Sequence, residues 1–435
     1  MYRQSLLLVL LGLGLATSQA ALAAQALSLE EALQTGVKNS PAIQKAEAKR
    51  DEGKWKGMEG LSVFLPNVKV SAAHYFEKRY QLLDVPFNGI NAEIPQIFPT
   101  SSATLDAKWL LFDGLQNVEF YKGAQAFKAS AESNYQWVNF LAAHEVVLTY
   151  YKVVAARKLE EVANQNLKTL QDHGVQVKNL KSGGLATNYD VLRVESQLSE
   201  AQADLLQAQD NTVIAQENLA RVLGVSDAVD VTETELAVPA AESVKNLTFN
   251  RNTNKRLDLQ SLEQEVEATD YIQSGQSRFF VPKVYLGAEY SKYNNLTDTL
   301  SDWKNYRSSW NVGFMLSWDI FNPREFAQSK EQYYHSLQTQ KTLVESNLQA
   351  PVDFAFWKKR YVYSATLYQA KKIDADRASE TVRLAHAGFK AGVRTTSEVL
   401  DAELELFRAR AGIVNAQMNC IEAKQKLELS LGETL

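Results

Sequence analysis

A single cysteine, Cys420, stands in 435 residues, so no internal disulfide framework holds this chain. Histidine is almost as scarce. The five present (His74, His144, His173, His335 and His386) are scattered and show no HExxH or other ligand spacing. Neither a phosphate loop nor a nucleophile elbow occurs, and Gly12 and Gly14 lie in the N-terminal apolar run rather than in a dinucleotide motif. These absences leave an enzyme without support and point to no cofactor and no metal. A net charge of −5 and a pI near 5.7 give no basic footprint for nucleic acid. After the first residues, no apolar run approaches the ~20 residues that a transmembrane helix requires. Any membrane insertion must therefore use strands.

The N-terminus itself reads as an export signal over residues 1–23. Arg3 supplies the positive start, Leu6–Leu15 the apolar core and Ala21-Leu22-Ala23 the cleavage site, with cutting after Ala24 as the alternative. No cysteine follows it, so nothing indicates a lipidated terminus. About 410 mature residues exceed one ordinary core, and an internal repeat accounts for them. Lys181–Leu192 and Phe389–Asp401 carry the same punctuation: a helical pattern stopped at glycine, then restarted within a few residues. From Asp190 onward the copies run in register. Asp190 matches Glu398, Val191-Leu192 matches Val399-Leu400, and Leu223-Gly224 matches Leu431-Gly432. The chain is a tandem duplication.

The expected organisation is a first repeat over 24–224, a linker over 225–250 containing Pro239, and a second repeat over 251–435. Leu27–Gly60 reads as an opening helix or helix pair, broken at Asn39-Ser40-Pro41; its counterpart lies near Asn254–Phe279. Each repeat then turns to period-two alternation, predicting one hairpin at about 64–112 and one at about 280–321. Val68, Val70 and Ala72, then Ala103, Leu105, Ala107, Trp109 and Leu111, fall on apolar faces. Val284, Leu286, Ala288 and Tyr290 do the same, as do Trp310, Val312, Phe314, Leu316 and Trp318. Small soluble sheets packed on helices also alternate in this way. Tryptophans near the strand ends and the export signal favour membrane strands instead. Four strands close no barrel, so membrane strands here imply a barrel shared between subunits.

Long helical patterns follow over Gln116–Lys181 and Glu325–Lys390, each roughly 100 Å if unbroken, with a kink or restart expected at Pro351. The return helices carry a three-four seam. It runs through Leu198, Ala201, Leu205, Ala208, Thr212, Ala215, Leu219 and Val222, and again through Leu406, Ala409, Ile413, Ala416, Cys420, Ala423, Leu427 and Ser430. This is coiled-coil spacing, and it makes Cys420 a packing residue. At the tips, Thr187/Asp190 and Thr395/Glu398 suit helix capping, with Asp401 on the same helix face as Glu398.

The duplicated plan and the tips, above all Gly392-Val393-Arg394-Thr395-Thr396-Ser397-Glu398-Val399-Leu400-Asp401 and Gly184–Val191, resemble the TolC-type outer-membrane efflux proteins. The resemblance covers about Leu27 to Leu431. It implies a mainly α fold with a membrane β-barrel: a trimer with a twelve-strand barrel in the outer membrane and a helical barrel crossing the periplasm of a Gram-negative cell. It further implies a gate in which Arg394 pairs with Asp190, Phe389 joins the polar network, and Glu398 with Asp401 forms an acidic ring. Gly183, Gly184, Leu185, Thr187, Gly392, Val393 and Thr395 would face a periplasmic adaptor (membrane fusion) protein working with an inner-membrane pump of RND or ABC type. The chain departs in having Glu398 where Asp is common and Phe389 where Tyr is common; phenylalanine donates no hydrogen bond. The implied activity is passive efflux of small molecules. A type I protein-secretion duct and, from another class, a periplasmic coiled-coil scaffold are the alternatives.

Overall fold

The computed structural model describes residues 26–77, 80–87, 89–238, 244, 247–250, 255–294 and 303–435. The export signal and Pro239 lie outside them. In chain order the elements are β1 (Ala26–Leu27), α1 (Leu29–Asn39), α2 (Pro41–Ser62), β2 (Asn67–His74), β3 (Tyr80–Phe87), β4 (Ile90–Ile97), β5 (Ser101–Phe112), α3 (Gln116–Ser182), α4 (Asn188–Leu223) and β6 (Asp230–Val231). The second half holds α5 (Leu257–Gln276), β7 (Lys283–Asn294), β8 (Arg307–Ser317), α6 (Pro323–Lys390) and α7 (Thr396–Leu431). No helix among the described residues is long and apolar enough to cross a membrane.

The chain divides into two units. One is built from residues up to 40, 142–245 and 360–425; the other from 41–141, 246–359 and 426–435. In the first unit, Val146, Tyr150 and Val153 of α3 are buried with Leu219 and Leu223 of α4, Ala32 of α1 and Ile421 of α7. Residues after α4 are drawn into this core: Val229, Val231 and Leu236 are buried there. Two polar anchors hold them. The β6 strand pairs in parallel with β1, and the Arg157 guanidinium bonds both the Asp230 carboxylate and the Val231 carbonyl. The expected seam is present on both return helices, since none of its sixteen residues is exposed and Cys420 is fully buried.

The second unit carries a four-stranded antiparallel sheet in the order β2-β5-β7-β8. Its register puts Val70, Leu105, Tyr290 and Trp310 in one row, and Val68, Ala107, Ala288 and Val312 in the next. Trp109, Leu286 and Phe314 continue the same face. Lys69, Asp106, Glu289 and Asn311 share the other face. Alternation in each strand thus adds up to one apolar surface across all four, with Trp310 and Phe314 about three-quarters exposed (76% and 75%). A β-bulge between Leu110 and Phe112 puts Phe112 opposite Val284.

The duplication is visible in detail. Trp109 Nε1 donates to the Phe64 carbonyl at 2.8 Å, and Trp318 Nε1 to the Phe280 carbonyl at 3.0 Å. Asp113 accepts from the Asn117 N–H at the start of α3, and Asn322 from the Glu325 N–H at the start of α6. Two sequence expectations need correction. The loop of the first hairpin itself forms a hairpin, β3 with β4; the Asn88-Gly89 dipeptide between two alternating runs was its signal. Pro351 neither ends nor restarts α6, which runs for 68 residues through it. Proline removes one backbone hydrogen bond, and burial of Ala350 and Phe354 on either side holds the helix together.

Candidate functional site: the paired helical tips

Each tip is made by two local devices, one closing a helix and one opening the next. At the end of α3, Gly184 adopts φ +74°, and at the end of α6 Gly392 adopts φ +71°. This left-handed backbone is open to glycine without the penalty of a Cβ. Around each glycine the chain closes a Schellman motif: Leu185 N–H bonds the Leu180 carbonyl at 2.8 Å, and Val393 N–H bonds the Gly388 carbonyl at 2.9 Å. In that motif the residue after the glycine commonly packs back on its helix. Here Leu185 and Val393 instead project into solvent, 80% and 77% exposed. Gly183 continues the turn by donating to the Asn179 carbonyl.

Two residues later a capping box opens each return helix. The Thr187 N–H donates to Asp190 Oδ2 at 2.9 Å while the Asp190 N–H donates to Thr187 Oγ1 at 3.2 Å. Thr395 and Glu398 repeat this at 2.8 and 3.3 Å. These bonds from the capping threonines hold both carboxyls below their ordinary range, with a lesser contribution to Glu398 from Arg394. The sign follows. A depressed folded-state pKa gives stability that is complete above the unfolded value, about 4 for a carboxylate, and is lost as pH falls through the folded value. Hydrogen exchange at the start of α4 and α7, corrected for intrinsic rates, is therefore expected to be flat between pH 5 and 8. It should quicken below about pH 4, and this acid step should vanish at α4 in Asp190→Asn.

The structure brings the two tips together, but not through the expected pair. Arg394 does not reach Asp190 within the chain; from the turn before α7 it bonds Glu398 in the first turn of that helix at 2.5 Å. The tight turn brings Arg394 back over the first turn of α7, where Glu398 sits, and the Asp190 carboxylate is already engaged by its cap. The cross-tip link belongs to Arg193, which the sequence reading missed although it lies on the same helix face as Asp190. Arg193 Nη1 donates to Ser397 Oγ at 2.6 Å, and Nη2 reaches Asp401 Oδ1 at 3.4 Å. The Thr396 side chain adds a small further lowering of the Asp190 pKa. Phe389 joins no polar network. It packs against the His173 ring at 5.1 Å and belongs to the apolar clusters of both tips, beside Leu170 and Val191 on one side and Val399 and Ala402 on the other.

Behind Phe389 lies a second feature that local spacing could not disclose. His173 from α3, His386 from α6 and Glu403 from α7 place one donor atom each within 4.8 Å of one another. Burial, with repulsion from His386, lowers the His173 pKa to about 4; burial alone raises the Glu403 carboxyl to about 7.

The comparisons with known proteins now apply. The chain matches the family described as Outer membrane efflux protein over residues 29–225 and 250–433. It belongs to that family. It is 21% identical over 419 residues to the alkaline protease secretion protein AprF of Pseudomonas aeruginosa, covering 94% of this chain and 85% of that one. The fold is shared with the CmeC outer membrane channel of Campylobacter jejuni (TM-score 0.78, 13% identity, 93% of this chain and 85% of that chain). It is shared equally with the outer membrane protein VceC of Vibrio cholerae (TM-score 0.74, 16% identity, 93% and 96%). An outer membrane efflux protein is a channel of the outer membrane extending into the periplasm, not an enzyme. Membership removes the alternative of a scaffold whose sheet never enters lipid.

Proposed function

We propose that three copies of this chain form a passive export duct, closed at rest by the paired tips. The observation that carries this reading is the sheet. It has one continuous apolar face, while β2 and β8 present outer edges with no hydrogen-bonded neighbour among the described residues. Unpaired edges are not tolerated in lipid. Four strands are half of the smallest bacterial barrel, whereas three copies supply twelve. Each copy adds its β2 edge to the β8 edge of the next.

At the tips, a periplasmic adaptor docks on the exposed Leu185 and Val393 with the surrounding turns of Gly183–Thr187 and Gly392–Thr395. An inner-membrane pump supplies the energy. Docking moves the tips apart and breaks the Arg193 contacts to Ser397 and Asp401, while Glu398 and Asp401 line the opening with negative charge. No bond chemistry occurs in the duct. Small molecules are the first reading for cargo; the likeness to a protease secretion protein favours polypeptides as the second. Deleting the chain tests both: sensitivity to dyes and detergents would follow from the first, and loss of a secreted protein from the medium from the second. Purified protein in a planar bilayer tests the duct itself. Discrete conductance steps are expected, and failure to insert or conduct would reject it.

A further inference from the structure

Among the described residues, four buried side-chain nitrogen or oxygen atoms make no hydrogen bond to the chain: Nδ1 and Nε2 of His173, and Oε1 and Oε2 of Glu403. All four belong to one cluster. Leaving such atoms unmatched is unfavourable, so buried donors and acceptors are nearly always paired. The third member, His386, stands with Nε2 only 2.8 Å from Glu403 Oε1, yet that oxygen accepts no hydrogen bond. Imidazole nitrogen and carboxylate oxygen thus stand at contact distance but out of hydrogen-bond alignment. His173 is fully buried and Glu403 is 3% exposed; the His386 side chain retains 25% exposure and opens the cluster to solvent.

We propose that His173, His386 and Glu403 bind one divalent transition-metal cation of the zinc class, which staples α3, α6 and α7 together behind the tips. Two imidazoles and one carboxylate are a donor set that suits zinc, leaving a fourth position on the open side. Magnesium and calcium prefer all-oxygen shells, so two nitrogens select against them. Bonds of about 2.0–2.2 Å put tetrahedral ligand atoms roughly 3.3 Å apart. Drawing in donors that already lie within 4.8 Å needs only small side-chain rotations. The cation satisfies the stranded atoms of His173 and Glu403 at once. It joins the helix that ends at the first tip to both helices of the second, so its loading favours closed tips. That consequence rests on the duct reading, whereas the site does not.

The test uses tag-free, detergent-solubilised full-length protein stripped with a chelator and titrated with zinc, with magnesium and calcium in separate runs. One zinc per chain at micromolar or lower concentration is expected, with a rise in the thermal midpoint and no response to magnesium or calcium. Cobalt in place of zinc should give visible absorption of a low-coordinate nitrogen-oxygen site. His386→Gln, at the partly exposed ligand, and the near-isosteric Glu403→Gln should each weaken zinc binding at least about 100-fold and remove the cobalt band. Circular dichroism confirms that both variants are folded, and His335→Gln should bind as the unmodified chain does. Absence of zinc uptake, or uptake unchanged in both ligand variants, overturns the site. Zinc binding that leaves bilayer conductance untouched keeps the site and rejects its action on the tips.

Discussion

Replacing Arg193 by alanine is expected to raise the open probability of the channel by up to about 100-fold in the absence of adaptor and pump. Arg193 is the residue that crosses from α4 to α7, holding Ser397 at 2.6 Å and Asp401 at 3.4 Å. The pair is largely in water, where such contacts contribute about 0–1 kcal/mol. One copy would hardly matter. Three copies acting on one entrance sum to as much as about 3 kcal/mol, and 1.4 kcal/mol is a factor of ten in a two-state equilibrium. Single-channel recording reads the effect directly. Arg394→Ala is the control, because its guanidinium bonds Glu398 of its own tip and does not join the tips within the chain; its effect should be smaller. Equal conductance in Arg193→Ala and the unmodified protein would remove Arg193 from the gate.

A second large effect is expected on the sheet. Phe314→Arg should reduce the heat-resistant oligomer in the outer-membrane fraction at least tenfold. Phe314 is 75% exposed, lies mid-strand in β8 and faces the apolar side opposite Leu286. A basic charge on the lipid face near the bilayer midplane costs about 2–4 kcal/mol, and the oligomer carries it three times, for about 6–12 kcal/mol in all. Asn311→Arg, on the other face opposite Glu289, should assemble normally. Normal assembly of Phe314→Arg would show that this face does not meet lipid.

What could be read in advance follows from how local each signal is. The tips were legible because their devices span only a few residues: Gly392 closes a helix, Thr395 and Glu398 open the next, and the same pattern recurs at Gly184, Thr187 and Asp190. The strands were legible because alternation is a property of each strand alone. The seam through Ala201, Thr212, Ala409 and Cys420 was legible because its spacing repeats along one helix. The choice of partners was not. Arg394 has two acidic candidates, Asp190 and Glu398, and only the folded turn shows that the nearer one in sequence takes it. Arg193 meets Ser397 and Asp401 from more than 200 residues away. The same holds for His173, His386 and Glu403, which sit on three helices with no common spacing. The β3–β4 hairpin differs, since the Asn-Gly dipeptide between its two alternating runs was in plain view within what read as loop.

The mass of the complex extracted from the outer membrane in mild detergent tests the central claim most directly. An edge-open sheet of four strands that lives in lipid must be completed by other copies. Native mass measurement should give three mature chains per particle, with no folded monomer in the membrane fraction. A monomer, or a chain recovered from the soluble periplasm, would contradict the shared barrel and the duct built upon it.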